Sequence, residues 1–275
     1  MKHFTPAMIS RALSMRTCIS LMGELLQESD CYHLNPKHAF PLNNGSLLGS
    51  MYAEEKEGKY AVAKIIGLFP HLSGIKDCHQ GQVLLFDKAE GELLASFDAS
   101  MITSLRTAAL AAAVTEKFAP KDKNRHLIIG MGNLLPFIQD VFAVTGKIES
   151  TTVLGRVSEE ELSQYCQNAD IITLITNSFE PILKPEHLGK AVHINSIGAC
   201  TPKLKEVSKD LCRIVEVFVD DKNIASKEAG NFESFLDELE IKTLNKEKTK
   251  AHTLFNSTGI ASQDLILTRY LYEKY

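Results

Sequence analysis

Apolar residues recur at helical spacing from Pro6 to about Gln27 (Met8, Ile9, Leu13, Met15, Ile19, Met22, Leu25, Leu26), which predicts an amphipathic helical start. Residues 31–50 are rich in Asn, Pro, Gly and His and read as loop with short extended pieces. Tyr60–Ile66, Gln82–Asp87 and Glu92–Phe97 read as strands. Lys88-Ala89-Glu90-Gly91 turns the second into the third, so these segments form an antiparallel meander. An Ala-rich helix is predicted from Thr103 to about Phe118, ending before Pro120.

The rhythm then changes. Strand-like runs at His126–Ile129, Thr151–Leu154, Ile171–Ile175, Val192–Ile197 and Val215–Val219 alternate with helix-length segments, among them Leu134–Thr145 and Glu159–Cys166. That alternation predicts parallel βαβ units and an α/β class. The charge-rich stretch Leu236–Lys250 reads as a solvated helix or linker, and Gly259–Tyr275 as a closing amphipathic helix.

Composition narrows the function classes. The 275 residues are 44% apolar and 23% charged, with a formal charge of −4. The balance excludes global attraction to nucleic-acid phosphates or anionic lipid, and no apolar run is long enough to predict a membrane span. Six scattered cysteines (Cys18, Cys31, Cys78, Cys166, Cys200, Cys212) show neither zinc-ligand spacing nor a disulfide framework. No metal site is expected. With no secretory signal pattern at the start, the cytoplasm is the expected location.

Three places carry candidate chemistry. Gly130-Met131-Gly132 follows a predicted strand and precedes a predicted helix, where a dinucleotide-binding turn needs one glycine to bend and a second to admit the pyrophosphate. The third position, usually Gly or Ala, is Leu135, so the helix should sit off the sheet or tilt. Arg156, just past the second strand, suits a 2′-phosphate. Glu149 is near the usual count for a ribose-binding acid but precedes the predicted strand, which favours NADP over NAD. Val157–Ala169 has room for one helix only, which implies a Rossmann-type sheet trimmed of its outer third strand. Thr103 reads as an N-cap, placing Arg106 in a first turn that disfavours a cation and so invites an anion. Lys64 lies mid-strand among apolar neighbours. Taken alone it reads as solvent-facing on the alternate face, with burial for a purpose as the other alternative.

The chain resembles the ornithine cyclodeaminase/mu-crystallin family over residues 3–275. The resemblance is carried by Lys64, Cys78-His79-Gln80 before Val83–Phe86, Gly91–Ala95, Ile102-Thr103-Ser104-Leu105-Arg106-Thr107-Ala108-Ala109, Ile129–Gly132, Ala169–Ile172, Glu180–Leu183 and His193–Ala199. His79-Gln80 and Glu180–Leu183 look more like the mu-crystallin, ketimine-reducing branch. The resemblance implies an NAD(P)H-dependent oxidoreductase that reduces the C=N bond of a small cyclic imino acid. Lys64 and Arg106 would contact the substrate carboxylate, with Lys37 standing where the family has an arginine. His79, Arg106, Thr107, Gly130, Gly132, Arg156, Thr176, Ile197 and Ser257 would line the dinucleotide, NADP with NAD as the alternative. It also implies a homodimer, with an α+β substrate-binding and dimerisation domain (1–117 with 256–275) and a dinucleotide domain (118–255). The cyclodeaminase branch has an acid where this chain has Cys200, which puts ornithine cyclisation in doubt. An NAD-bound cyclodeaminase, an amino-acid dehydrogenase and a non-catalytic NADPH binder remain as alternatives.

Overall fold

Alternating buried and exposed side chains organise the first sheet. The computed structural model describes residues 1–72, 79–120, 122, 124–232 and 235–275, and the chain divides into two units: Met1–Thr107 with Ile260–Tyr275, and Ala108–Gly259. The first unit contains β1 (Lys2–Phe4), α1 (Pro6–Ala12), α2 (Met15–Gln27), β2 (Tyr32–Pro41), β3 (Leu47–Glu55), β4 (Tyr60–Leu68), β5 (His79–Asp87) and β6 (Glu92–Asp98). The sheet order is β1-β6-β5-β4-β3-β2, with β2 to β6 antiparallel and β1 parallel to β6. The predicted meander is therefore present, but it is longer at its start. Residues 31–50, expected as loop with short extended pieces, supply β2 and the start of β3. Pro36 is tolerated because β2 is the sheet edge and its pairing with β3 shifts between Asn35 and His38. The predicted N-terminal helix is two helices, since Ser14 is extended and caps α2 by accepting from the Thr17 amide.

Helix α3 (Ala99–Phe118) begins in the first unit and ends in the second, so Ala108–Lys117, expected with the first domain, groups with the other unit. It starts four residues before the expected Thr103, and Asp98 Oδ1 accepts from the Met101 amide. The Thr103 hydroxyl is turned back onto the Ala99 carbonyl inside the helix. Arg106 therefore lies in the second turn, and the expected clash with the helix dipole does not arise. In the first unit the last helix, α8 (Ala261–Lys274), packs across β2 to β5 and against α2.

The second unit follows α3 with β7 (Asn124–Ile129), α4 (Leu135–Thr145), β8 (Ile148–Leu154), α5 (Glu159–Asn168), β9 (Ile171–Leu174), β10 (His193–Ser196), α6 (Lys209–Ile214), β11 (Glu216–Val219), α7 (Lys222–Glu228), β12 (Ile241–Thr243) and β13 (Thr253–Asn256). All seven strands are parallel, in the order β12-β11-β13-β10-β9-β7-β8. The sheet stops at β8, as the short Val157–Ala169 connection predicts. Residues 236–250, expected as a solvated helix or linker, contain β12 and are tied down. Glu216 accepts from the Thr249 and Lys250 amides and from Lys242 Nζ, and Lys248 Nζ donates to the Phe118 carbonyl. Apolar side chains of β7, β9, β10, β11 and β13 form the core of this unit with α5, α6 and the segment around Phe232 and Phe235.

Candidate functional site

In the first unit, a buried charge cluster forms where α3 and α8 meet β4. Tyr60, Val62 and Lys64 share the buried face of β4, while Ile65 on the other face is 49% exposed. Lys64 is 2% exposed, so the solvent-facing alternative is overturned: strand alternation puts it inside, between Met51 on β3 and Val83 on β5. Its Nζ donates to Asp264 Oδ1 at 2.9 Å and to Thr103 Oγ1 at 2.7 Å. An ammonium has three N–H donors, so one remains beyond these two partners. Burial pulls the Lys64 pKa down and the attraction of Asp264 raises it. Arg106 and Lys37 lower it again, and the net value is about 8.

Arg106 is also buried. Its Nη1 donates to Gln263 Oε1 at 2.7 Å, and its Nε–H has no partner among the described residues. Asp264 Oδ2 is likewise buried without a partner. Gln263 and Asp264 are consecutive residues in the first turn of α8, so one helical turn holds both cations. An orphan guanidinium N–H, the spare donor of Lys64 and nearby Lys37 suit a small carboxylate. Thr107 follows Arg106 on α3 and is buried. His79 opens β5; its side chain and Cys78 lie outside the described residues.

In the second unit, the remaining expected residues collect at one edge of the parallel sheet. Gly130, Arg156, Thr176, Ile197 and Ser257 each follow the carboxyl end of a strand: β7, β8, β9, β10 and β13 respectively. That is the edge where doubly wound sheets bind ligands, and the order reverses beside β7, which is flanked by β8 and β9. Gly130 has φ +122°, and a Cβ there would lie 2.7 Å from the Ile175 carbonyl. Gly132 is the reverse case: a Cβ would meet no atom within 4 Å, which leaves the approach to the turn open. Arg156 is exposed. Glu149 lies inside β8, contrary to expectation, but near its amino end, opposite the ligand edge.

Two buried carboxylates hold the loops of this edge. Glu206 accepts from the Thr176 amide and hydroxyl, Ser196 Oγ and the Gly198 and Ala199 amides. Burial raises its pKa against those hydrogen bonds. Asn231 accepts from the Glu206 and Val207 amides and donates to Ser196 Oγ and Asn256 Oδ1. Asp220 accepts from Ser257 Oγ, from the Thr258 amide and hydroxyl, and from the Gly259 amide. The Asn256 Nδ2 donor is buried without a partner among the described residues. A glycine turn with open approach, an orphan donor and rigidly held strand ends fit a dinucleotide.

Sequence reasoning missed Gln263, Asp264, Glu206, Asp220 and Asn231. A signal existed only for Asp264, because a mid-strand lysine on a buried face requires a counter-charge somewhere in the chain. Elsewhere, Glu159, Glu186 and His187 form a cluster with metal-ligand spacing. Two of its three side chains are engaged: Lys184 Nζ lies 2.6 Å from Glu159, and His187 Nδ1 accepts from the Lys184 amide.

One unit with a parallel sheet and a glycine turn at its carboxyl edge, and a second with a mixed sheet carrying buried cations, define a two-unit α/β protein of the dinucleotide-binding class. The sequence profile of the ornithine cyclodeaminase/mu-crystallin family matches residues 5–161 and 156–275, and the chain belongs to that family. Among similar proteins, ketimine reductase mu-crystallin of Mus musculus is 28% identical over 254 residues, 83% of this chain and 80% of its own length. A Delta(1)-pyrroline-2-carboxylate reductase of Bacillus cereus is 29% identical over 304 residues, 96% of this chain and 93% of its own. The fold matches the Thermococcus litoralis Delta(1)-pyrroline-2-carboxylate reductase in complex with NADH and L-proline (TM-score 0.89, 20% identity, 100% and 97% of the two chains). It also matches the iminosuccinate reductase of Paracoccus denitrificans in complex with NAD+ (TM-score 0.90, 21% identity, 99% and 95%).

Proposed function

We propose that this protein is an NAD(P)H-dependent oxidoreductase that reduces the C=N bond of a small cyclic imino acid, of the pyrroline- or piperideine-carboxylate class, to the amino acid. The observation that carries this reading is the buried pair of cations, Lys64 and Arg106, each with a donor to spare, in a member of a family whose similar proteins are named ketimine and pyrroline-2-carboxylate reductases. Lys64 and Arg106 bind the substrate carboxylate, and Lys37 adds a third positive charge. Holding the carboxylate fixes the position of the adjacent imine carbon, and such positioning lowers barriers by several kcal/mol. The bound dinucleotide supplies the hydride that this carbon accepts.

The first unit is then the substrate-binding and dimerisation domain and the second the dinucleotide domain. His79, Arg106, Thr107, Gly130, Gly132, Thr176, Ile197 and Ser257 line the dinucleotide. Exposed Arg156 after β8 favours NADP, with NAD as the alternative. Homodimerisation is supported by the outer face of the first sheet, where Phe40, Leu48, Tyr52 and Ile65 are 39–66% exposed. A cytoplasmic address is supported by described cysteines that form no disulfide. Among the described residues no helix is long and apolar enough to cross a membrane.

Fluorescence titration with NADPH and NADH, followed by a ketimine and amino-acid panel, tests the proposal. Reduction of a cyclic ketimine with oxidation of NADPH is expected. Release of ammonia from ornithine without net NADH formation would instead identify a cyclodeaminase, and tight NADPH binding with no turnover a non-catalytic binder.

A further inference from the structure

Both cations of the first unit are held from the same place. Gln263 takes Arg106 and Asp264 takes Lys64, from successive positions in the first turn of α8. Asp264 is fully buried, 2.9 Å from Lys64 Nζ, and separated from it by 200 positions in sequence. Among the described residues, Lys64 therefore has one anionic neighbour and two cationic ones. Asp264 faces it from α8, Arg106 from α3 and Lys37 from β2, while Met51 and Val83, beside it in the sheet, carry no charge. A lysine so enclosed loses its proton unless an anion holds it.

Thr103 fixes the geometry. Its hydroxyl donates to the Ala99 carbonyl, so its lone pair is turned toward Lys64. With Thr103 and Asp264 each occupying one N–H, the direction of the third is set by tetrahedral geometry.

We infer that Asp264 is a positioning residue for the proposed carboxylate grip: it keeps Lys64 charged at neutral pH and aims the remaining N–H of the ammonium at the substrate. The inference rests on the function proposed above, but part of its test is independent of turnover. Burial and the two cations already bring Lys64 to about 8 with Asp264 in place. Loss of the carboxylate leaves only influences that lower it further.

The test compares wild type with Asp264→Asn in two measurements. In the first, kcat/KM for Δ1-piperideine-2-carboxylate with NADPH is followed against pH. The alkaline limb of Asp264→Asn should move at least one unit lower, which raises KM about twofold at the new limb and roughly tenfold above the wild-type limb. The loss should fall on KM rather than kcat and recover as the medium is acidified. Asp264→Glu, which keeps the charge but displaces it, should restore the limb while KM stays raised. A limb that does not move, or a loss equal at all pH values, would overturn the inference and leave a structural role. In the second measurement, the Lys64 ammonium is titrated by 15N NMR in wild type and Asp264→Asn, without substrate. Equal titration in both overturns the inference even if the enzyme is active. Absence of any ketimine reduction by wild type overturns the function while this measurement still decides the role of Asp264. Should Asp264→Asn fail to fold, Lys64 of the wild type must still be charged at pH 7, and a neutral amine there refutes the inference.

Discussion

Alanine at Gly130 and alanine at Gly132 should damage this protein in different ways, although the two glycines are separated by one residue. At Gly130 the backbone has φ +122°, and the new Cβ would lie 2.7 Å from the Ile175 carbonyl and 2.8 Å from its side chain. The conformational penalty is about 1–3 kcal/mol, and displacing a packed strand end adds about 1–3 kcal/mol. The total is about 2–6 kcal/mol, enough to lower Tm by roughly 5–20 °C in a domain of this size. At Gly132 a Cβ meets nothing within 4 Å and φ is not positive, so Tm should stay within about 1 °C. There the added methyl occupies space that the pyrophosphate needs, and NADPH affinity should fall at least roughly tenfold. Thermal melts paired with fluorescence titration separate the two effects. Wild-type NADPH affinity in Gly132→Ala would refute the turn as a phosphate site, and a wild-type melt for Gly130→Ala would refute the strain argument.

Other consequences are testable with equal directness. His126 and His193 are buried and neutral, with pKa values pushed down by burial to about 3 from 6.5. The stability they contribute is complete above pH 6.5 and is lost as pH falls toward 3, by about 1.4 kcal/mol per pH unit for each. Unfolding free energies from urea titrations at pH 7 and pH 5 should therefore differ by about 4 kcal/mol for the pair, and equal values would contradict their burial as neutral rings. Lys64→Met leaves Asp264 buried without a counter-charge and should cost about 3–5 kcal/mol in stability. Lys64→Met with Asp264→Leu should regain that stability but not ketimine reduction, and a double variant that stays active would remove Lys64 from the carboxylate site. Arg156→Ser should weaken NADPH binding about 10–100-fold and leave NADH binding unchanged, whereas an equal loss for both would dissociate Arg156 from the 2′-phosphate.

Much of the fold was legible because its signals are local. The strand-like run of β4, the glycine turn and the short Val157–Ala169 connection each settle one feature of the architecture. What escaped depends on partners distant in sequence. Tyr32–Pro41 is polar and contains two prolines, and it becomes a strand only because the sheet has an edge to offer. Residues 236–250 look solvated until Glu216 gathers their amides. Thr103 was read as a cap from its type alone, whereas Asp98 begins the helix and Thr103 serves Lys64. The cations of the candidate site were legible from the family motif. The residues that hold them were not, since no local pattern joins Lys64 to Asp264 or Arg106 to Gln263.

The polar side chains lying across the middle of the parallel sheet bear on how it assembles. His193 lies level with Thr253 on β13 and bonds to it, Asn195 lies level with Thr173 on β9, and His126 on β7 reaches the same threonine, while Asn195 also donates to Thr115 of α3. A strand that slid by two residues would keep its oily face inward, and hydrophobicity alone would hardly object. It would, however, strand several imidazole, amide and hydroxyl groups in the dry interior, at about 1–3 kcal/mol apiece. This seam thus works as a molecular vernier: strands arriving from far-apart stretches of the chain can lock at one mutual offset, and that offset is what brings five strand ends level to form a single ledge.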